Sequence, residues 1–136
     1  PIAEARFVEE VDAGIAPETI DYVNAHGTGT ELNDPMETKA MKLTFGDYAY
    51  NVPISATKSM TGHAMGGTSA IEAAFAVLSL RDQVAPPTIH LETPDPQCDL
   101  DYVPNEAREV RMKTVMTNSF GFGGHNASLV FKRFDD

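Results

Sequence analysis

Two histidines stand in matching surroundings. His26 lies in "NAHGTGTELNDP" (Asn24–Pro35) and His63 in "KSMTGHAMGG" (Lys58–Gly67), each among glycines and hydroxyl residues. Glycine beside a histidine lets a substrate approach the ring and the neighbouring backbone amides closely. A neutral imidazole donates a hydrogen bond from one nitrogen. Two such donors aimed at one oxygen would stabilise an enolate or a tetrahedral oxyanion, an electrostatic effect that is usually the largest single catalytic term. Lys58 lies five residues before His63, and Glu72 lies fourteen after Lys58 inside a helical pattern. A lysine–glutamate pair orienting the surroundings of His63 is therefore expected.

Other chemistries fit less well. His26, His63, Asp34 and Glu37 have the donor types that suit zinc or iron, but no HxxxH or HExxH spacing is present, and no metal or other cofactor is expected. Cys98, in "DPQCDLD", sits among Asp95, Asp99 and Asp101, which disfavour a thiolate, and no base stands beside it. There is no GxSxG elbow, and Ser59 and Ser119 lack any pattern that marks an activated hydroxyl. "GFGG" (Gly121–Gly124) leads into a strand instead of a helix, which fails the context of a phosphate loop. His90 lacks glycine neighbours and is expected to pack or face water. His125 follows the glycines of the last loop and is a weaker candidate than His26 or His63.

The elements that must position these residues alternate. Ala3–Ala13 carries a partial helical stripe, with Gly14 placed to end it. "TIDYVNA" (Thr19–Ala25) reads as a buried strand that delivers His26 at its C-terminal end. "NDPMETKAMKLTFG" is a helix, with Asn33 or Asp34 as N-cap, Pro35 in the first turn and Gly46 after the last. "NVPISAT" (Asn51–Thr57) is a second strand, followed by the His63 loop. "TSAIEAAFAVLSLRDQ" is an alanine-rich helix with Ile71, Phe75 and Leu78 at helical spacing. The proline-studded segment from Pro86 to Pro104 is expected to be an extended crossing. "KTVMTNS" and "NASLVF" read as two strands joined by the glycine loop "FGFGGH". The three glycine loops each follow a predicted strand. In open α/β sheets such loops line one crevice at the strands' carboxyl ends.

A chain of 136 residues is expected to form one domain, spanning 1–136, and no linker or internal repeat divides it. Its hydrophobic content of 42% is ordinary, and no apolar run approaches the roughly 20 residues a membrane span needs. The start does not resemble a signal peptide and there is a single cysteine, so a reducing, cytoplasmic setting is expected. The net charge of −10 argues against nucleic acid as partner. Arg108, Arg111 and Lys113, and the pair Lys132 and Arg133, are either small docking patches or solvated surface.

"YVNAHGTGT", "TKSMTGHAMGG" and "NSFGFGG", in this order and separation, resemble the C-terminal signatures of the β-ketoacyl-acyl carrier protein synthases, most closely the type II condensing enzymes of fatty acid synthesis. The likeness runs from about Val8 to Phe134 and includes "LRDQVAPPTIHLETPDPQCDLDYVPNEAR". It implies the C-terminal half of the thiolase-like α/β fold, in the order αβαβαββ, with a mixed sheet packed by helices. It also implies decarboxylative Claisen condensation of an acyl thioester with malonyl-carrier protein. The active-site cysteine would belong to the N-terminal half of the synthase, not covered by the likeness.

By this resemblance His26 and His63 match the pair that binds the malonyl thioester carbonyl, while Lys58 and Glu72 match the family lysine and its charged partner. Thr28 and Thr30 match the threonines that hold the pantetheine arm. Phe122 matches the gating phenylalanine, whose backbone N–H shares an oxyanion hole with the cysteine; Phe120 would support that loop. Asp34 and Glu37 match an acidic pair near the histidine loop, although helix capping would also explain them. His125 stands where the family often has threonine. The implied partners are acyl carrier protein, the N-terminal half and a second copy in a homodimer, with neither nucleic acid nor membrane. A polyketide ketosynthase, or an assembly subunit similar to chain-length factors, would share the fold.

Overall fold

The computed structural model of the protein describes residues 13–134. The helix expected at Ala3–Ala13 lies, apart from its last residue, outside them. A sheet of order β2-β1-β5-β6 is built from β1 (Tyr22–Asn24), β2 (Ile54–Ser55), β5 (Thr114–Phe120) and β6 (Asn126–Lys132). β1 runs parallel to both β2 and β5, while β6 returns antiparallel against the whole of β5. The mixed sheet is thus as expected, although the first two strands are shorter than the sequence suggested. Pro17–Thr19 forms a 3₁₀ turn and shortens the first from its front.

Strand alternation explains why one sheet carries two cores. Val23 and its register partner Met116 face α1 (Asn33–Phe45), where Met41, Phe45, Ile54 and Leu100 join them. Tyr22 and its partner Val115 point the other way, against Ala76 and Leu80 of α3 (Thr68–Asp82). All three residues of β1 are buried, as befits a central parallel strand covered on both faces. α1 and α3 therefore clasp the sheet between them. The carboxyl ends of β1, β2 and β5 consequently open at one edge.

Several local expectations are corrected. Neither Asn33 nor Asp34 caps α1; the helix already begins at Asn33, and the preceding Leu32 is helical and offers no side-chain cap. Instead the Thr30 hydroxyl accepts the Asn33 N–H at 3.2 Å, and the Asp34 carboxylate turns back to accept the Gly29 N–H at 3.2 Å. The acid thus serves the glycine loop. Gly46 does end the helix, with φ 55°.

The Lys58 loop opens with a single helical turn, α2 (Lys58–Thr61), and Met65–Gly67 is a 3₁₀ turn leading into α3. The proline-studded segment is more tied down than an extended crossing. β3 (Val84–Ala85) and β4 (Arg108–Glu109) form a small antiparallel pair, and Thr88 bridges to Pro104. The same segment is fastened to the Lys58 loop, since the Ala56 N–H donates to Thr88 Oγ1 at 2.9 Å and the Ile89 N–H to Ser59 Oγ at 3.0 Å.

Candidate active site

The three glycine loops meet at the open edge of the sheet. His26 stands two residues beyond the end of β1 and is 5% exposed. Its ring meets that of His63 edge to face, with 5.4 Å between centroids and an interplanar angle of 85°. Phe120, the last residue of β5, also meets the His26 ring, at 5.3 Å between centroids. His63 itself is exposed, and its Nδ1 is 3.1 Å from Thr68 Oγ1. Two imidazoles contributed by separate loops thus share one small volume.

The His26 loop is held from below by α1. The Glu37 carboxylate accepts the backbone N–H of His26 at 2.8 Å and that of Gly27 at 2.9 Å. Asn118 of β5 adds a side-chain N–H to the same carboxylate at 3.3 Å, and Ser128 of β6 donates in turn to Asn118 Oδ1 at 2.8 Å. One carboxylate therefore ties together loop, helix and hairpin. Burial pushes the Glu37 carboxyl up despite these donors.

Lys58 and Glu72 form the second anchor. The ammonium lies 2.6 and 2.8 Å from the two carboxylate oxygens, with both side chains buried. Thr57 donates to Asn24 Oδ1 at 3.1 Å, and Asn24 reaches the backbone carbonyl of Glu72 at 3.4 Å, so β1, β2 and α3 are joined around the pair. Desolvation raises the Glu72 carboxyl even beside its lysine. The same Lys58 charge acts on His26, whose pKa is pulled down to about 4 by burial first, then by Lys58 and His63. His26 is accordingly neutral at physiological pH. Its buried Nδ1 has no hydrogen-bond partner among the described residues.

The remaining candidates are placed less tightly. Thr28 and Thr30 share a hydrogen bond of 3.0 Å on the outer part of the loop. Phe122, at the tip of the last loop, is 94% exposed. The N–H groups of Gly121 and Gly124 are used within the turn, donating to His125 O at 2.8 Å and to Gly121 O at 3.2 Å, whereas that of Phe122 donates to no acceptor among the described residues. His125 and His90 are both exposed. Cys98 lines a cavity with Met41, Leu100 and Tyr102 and with Gly27 and Thr30 of the His26 loop, and neither His26 nor His63 is among the residues lining it. Burial pushes its thiol up, Asp95, Asp34 and Asp99 reinforce this, and a hydrogen bond with Thr38 opposes it.

Asn24, Thr57, Asn118 and Thr68 escaped the sequence reading as members of the site. Three of them carry a positional signal. Asn24 and Asn118 come shortly before the first and last glycine loops, and Thr57 directly precedes Lys58. Thr68 is the first residue of α3, where a hydroxyl is easily taken for an ordinary helix start.

Residues 4–92 match the family described as beta-ketoacyl synthase, C-terminal domain. The chain belongs to the β-ketoacyl synthase family. It is 61% identical over 125 residues to the 3-oxoacyl-(acyl-carrier-protein) synthase 2 of Coxiella burnetii, covering 92% of this chain and 30% of that protein. The like-named enzymes of Staphylococcus aureus, at 56% over 124 residues, and of Synechocystis, at 52% over 123, are covered to 30% as well, with 91% and 90% of this chain aligned. The chain thus spans less than a third of the length of these relatives.

Solved ketosynthases share the architecture. A type II polyketide ketosynthase, in complex with its acyl-carrier protein and bound to the hexaketide, superposes with a TM-score of 0.90 at 42% identity, covering 93% of this chain and 31% of its own. A β-ketoacyl synthase from Burkholderia phymatum does so at 0.86 and 41%, covering 93% and 30%. The thiolase-like α/β fold expected for this β-ketoacyl synthase domain is the one it has.

Proposed function

We propose that this domain supplies the carbonyl-binding half of the active site of a condensing enzyme that elongates fatty acyl chains. In the reaction, malonyl-carrier protein loses carbon dioxide as the bond to its free carboxylate breaks, and the released electron pair forms an enolate on the thioester. The enolate carbon then attacks an acyl thioester carried by a cysteine, forming the new carbon–carbon bond and expelling the sulfur. The observation that carries this reading is the meeting of His26 and His63, 5.4 Å between ring centroids, where three strand ends open. A neutral His26 suits it, because an imidazole N–H stabilises developing negative charge on the thioester oxygen without a proton being surrendered beforehand.

On this reading Lys58 and Glu72 maintain the electrostatics and geometry of the site. Thr28 and Thr30 hold the pantetheine arm, Asp34 and Glu37 brace the loop, and Phe122 gates the pocket while its free N–H serves an oxyanion hole. The nucleophilic cysteine comes from the N-terminal half of the synthase, and Cys98 does not replace it. Acyl carrier protein delivers both thioesters, the whole enzyme works in the cytoplasm as a homodimer, and no cofactor takes part. The 52–61% identity to enzymes named 3-oxoacyl-(acyl-carrier-protein) synthase 2 favours fatty acyl substrates. The structural likeness to a polyketide ketosynthase, with a TM-score of 0.90, supports a polyketide role as the second reading. A chain-length-factor-like subunit is disfavoured by retention of both histidines and Lys58.

The deciding experiment is malonyl-carrier protein decarboxylation by the synthase that carries this domain. His26→Ala and His63→Ala should each lower the rate by about 100-fold or more, as loss of an oxyanion donor does; unchanged rates would overturn the reading. The 136-residue chain alone should form no acyl adduct, and cerulenin should leave Cys98 unlabelled. A covalent adduct on Cys98 would contradict the assignment of the nucleophile.

A further inference from the structure

We infer that Thr68 is a positioning residue for His63. Its hydroxyl donates to His63 Nδ1 and so fixes the ring as the tautomer that keeps its proton on Nε2, the nitrogen remote from Thr68. The two atoms are 3.1 Å apart, and Thr68 is 4% exposed although His63 lies at the surface. The direction of the bond follows from what each group can satisfy. The Thr68 hydroxyl has no other hydrogen-bond partner among the described residues. Were Nδ1 the protonated nitrogen, the threonine oxygen would accept from it and the buried O–H proton would be stranded, at a cost of about 1–3 kcal/mol. With the roles reversed, hydroxyl and imidazole are both satisfied.

The helix reinforces the choice. Thr68 opens α3, a helix of 15 residues, and the positive end of its dipole favours a lone pair over an N–H directed at it. Thr68 and Glu72 are one turn apart and therefore on the same side of α3. That single face carries the hydroxyl that meets His63 and the carboxylate that holds Lys58. The sequence placed the orienting network of His63 at Lys58 and Glu72; the direct hold on the ring is Thr68. The loop bearing His63 needs such a hold, because it leaves α2 at Gly62, with φ 70°, and passes Met65 at φ 49°.

The inference rests on the proposed function for the use of the Nε2 proton, but not for its existence. The test compares Thr68→Val, which keeps shape and loses the hydroxyl, with Thr68→Ser, which keeps the hydroxyl. In the full chain labelled with ¹⁵N-histidine, ring nitrogen shifts should show His63 protonated on Nε2 in the parent and in Thr68→Ser. In Thr68→Val the Nδ1–H form should become populated. In the synthase carrying the domain, Thr68→Val should lower kcat for decarboxylation by about tenfold, less than the roughly 100-fold cost of losing an oxyanion donor outright, with KM little changed. Thr68→Ser should restore it. A single unchanged tautomer in Thr68→Val, an equal loss in Thr68→Ser, or an unchanged kcat in Thr68→Val while His63→Ala is impaired would each overturn the assignment. If His63→Ala decarboxylates normally while the tautomer shifts as expected, the proposed function fails and the role of Thr68 stands.

Discussion

The ammonium of Lys58 is gripped by both carboxylate oxygens of Glu72 inside the fold, at 2.6 and 2.8 Å. The pair joins the first residue of α2 to the second turn of α3, and so fixes the distance between the two elements that flank His63. It also leaves a positive charge beside His26 that depresses its protonation. A buried pair of this kind is costly to desolvate and is weak evidence for stability by itself. Its value is in holding geometry and electrostatics together.

That distinction gives the first prediction. Lys58→Met leaves the Glu72 carboxylate buried and unpaired, which should destabilise the chain by about 3–5 kcal/mol in urea unfolding. Glu72→Leu should cost a similar amount by stranding the ammonium. The double variant should recover most of the loss, since two apolar side chains replace the pair. Additive single effects would show that the two residues do not act as a unit.

The second prediction concerns His26. Its folded pKa, about 4, lies below the ordinary histidine value of 6.5. The unfolded chain therefore binds the proton more readily between these values. The resulting stability is fully present above 6.5 and is lost as pH falls through 6.5 towards 4. Glu37 and Glu72 act with the opposite sign, because their carboxyls are raised: their contribution is greatest below the usual 4.5 and declines as pH rises through the folded values. Ring proton shifts of His26 isolate the first effect. They should titrate near 4, and in Lys58→Met the midpoint should move up. A midpoint near 6.5 in the parent chain would contradict the burial and charge argument.

Much of this arrangement was legible in the sequence because it rests on local chemistry. A short buried strand followed by small residues predicts where His26 and Lys58 must stand, while Glu72 is expected as the partner of Lys58 from its place inside the next helical pattern and from the family resemblance. What could not be read is set by long-range closure. The β3–β4 pair joins segments separated by the whole proline-rich stretch, and neither strand has enough alternation to announce itself. The roles of Asp34 and Thr30 at the start of α1 are exchanged relative to the capping rule because the glycine loop has its own N–H groups to satisfy. The position of Asn118 before the last glycine loop is visible in the sequence, but its contact is not, as its partner Glu37 lies 81 positions away.

A third prediction separates the two glycines of the His26 loop. A Cβ on Gly27 would lie 2.6 Å from Ala56 Cβ and 3.3 Å from Ala56 Cα, at φ +43°. Gly27→Ala must therefore push the His26 loop from the Lys58 loop as well as strain the backbone, and should cost about 2–5 kcal/mol. Gly29, at φ +70°, has open space where its Cβ would be. Gly29→Ala should cost only the conformational penalty, about 1–2 kcal/mol. Thermal or urea unfolding of the two variants reads the difference directly; equal losses would mean that the approach of Ala56 does not matter.

The last prediction comes from the outer face of α3. The face towards the sheet buries Thr68, Glu72, Ala76, Ser79 and Leu80, yet Ile71, Val77 and Leu78 on the other side are 42%, 46% and 41% exposed. A helix that is apolar all round is one that expects cover on both sides. On the proposed reading the rest of the synthase provides it. Left bare, the face should drive concentration-dependent self-association of the isolated chain, since exposed apolar surface of this kind marks an association site. Sedimentation velocity should show the average mass rising with concentration. Replacing Ile71, Val77 and Leu78 together by Lys should suppress it while the far-UV spectrum stays the same, because none of the three is buried in the folded chain. A parent chain that remains monomeric across the concentration range would mean that this face needs no cover.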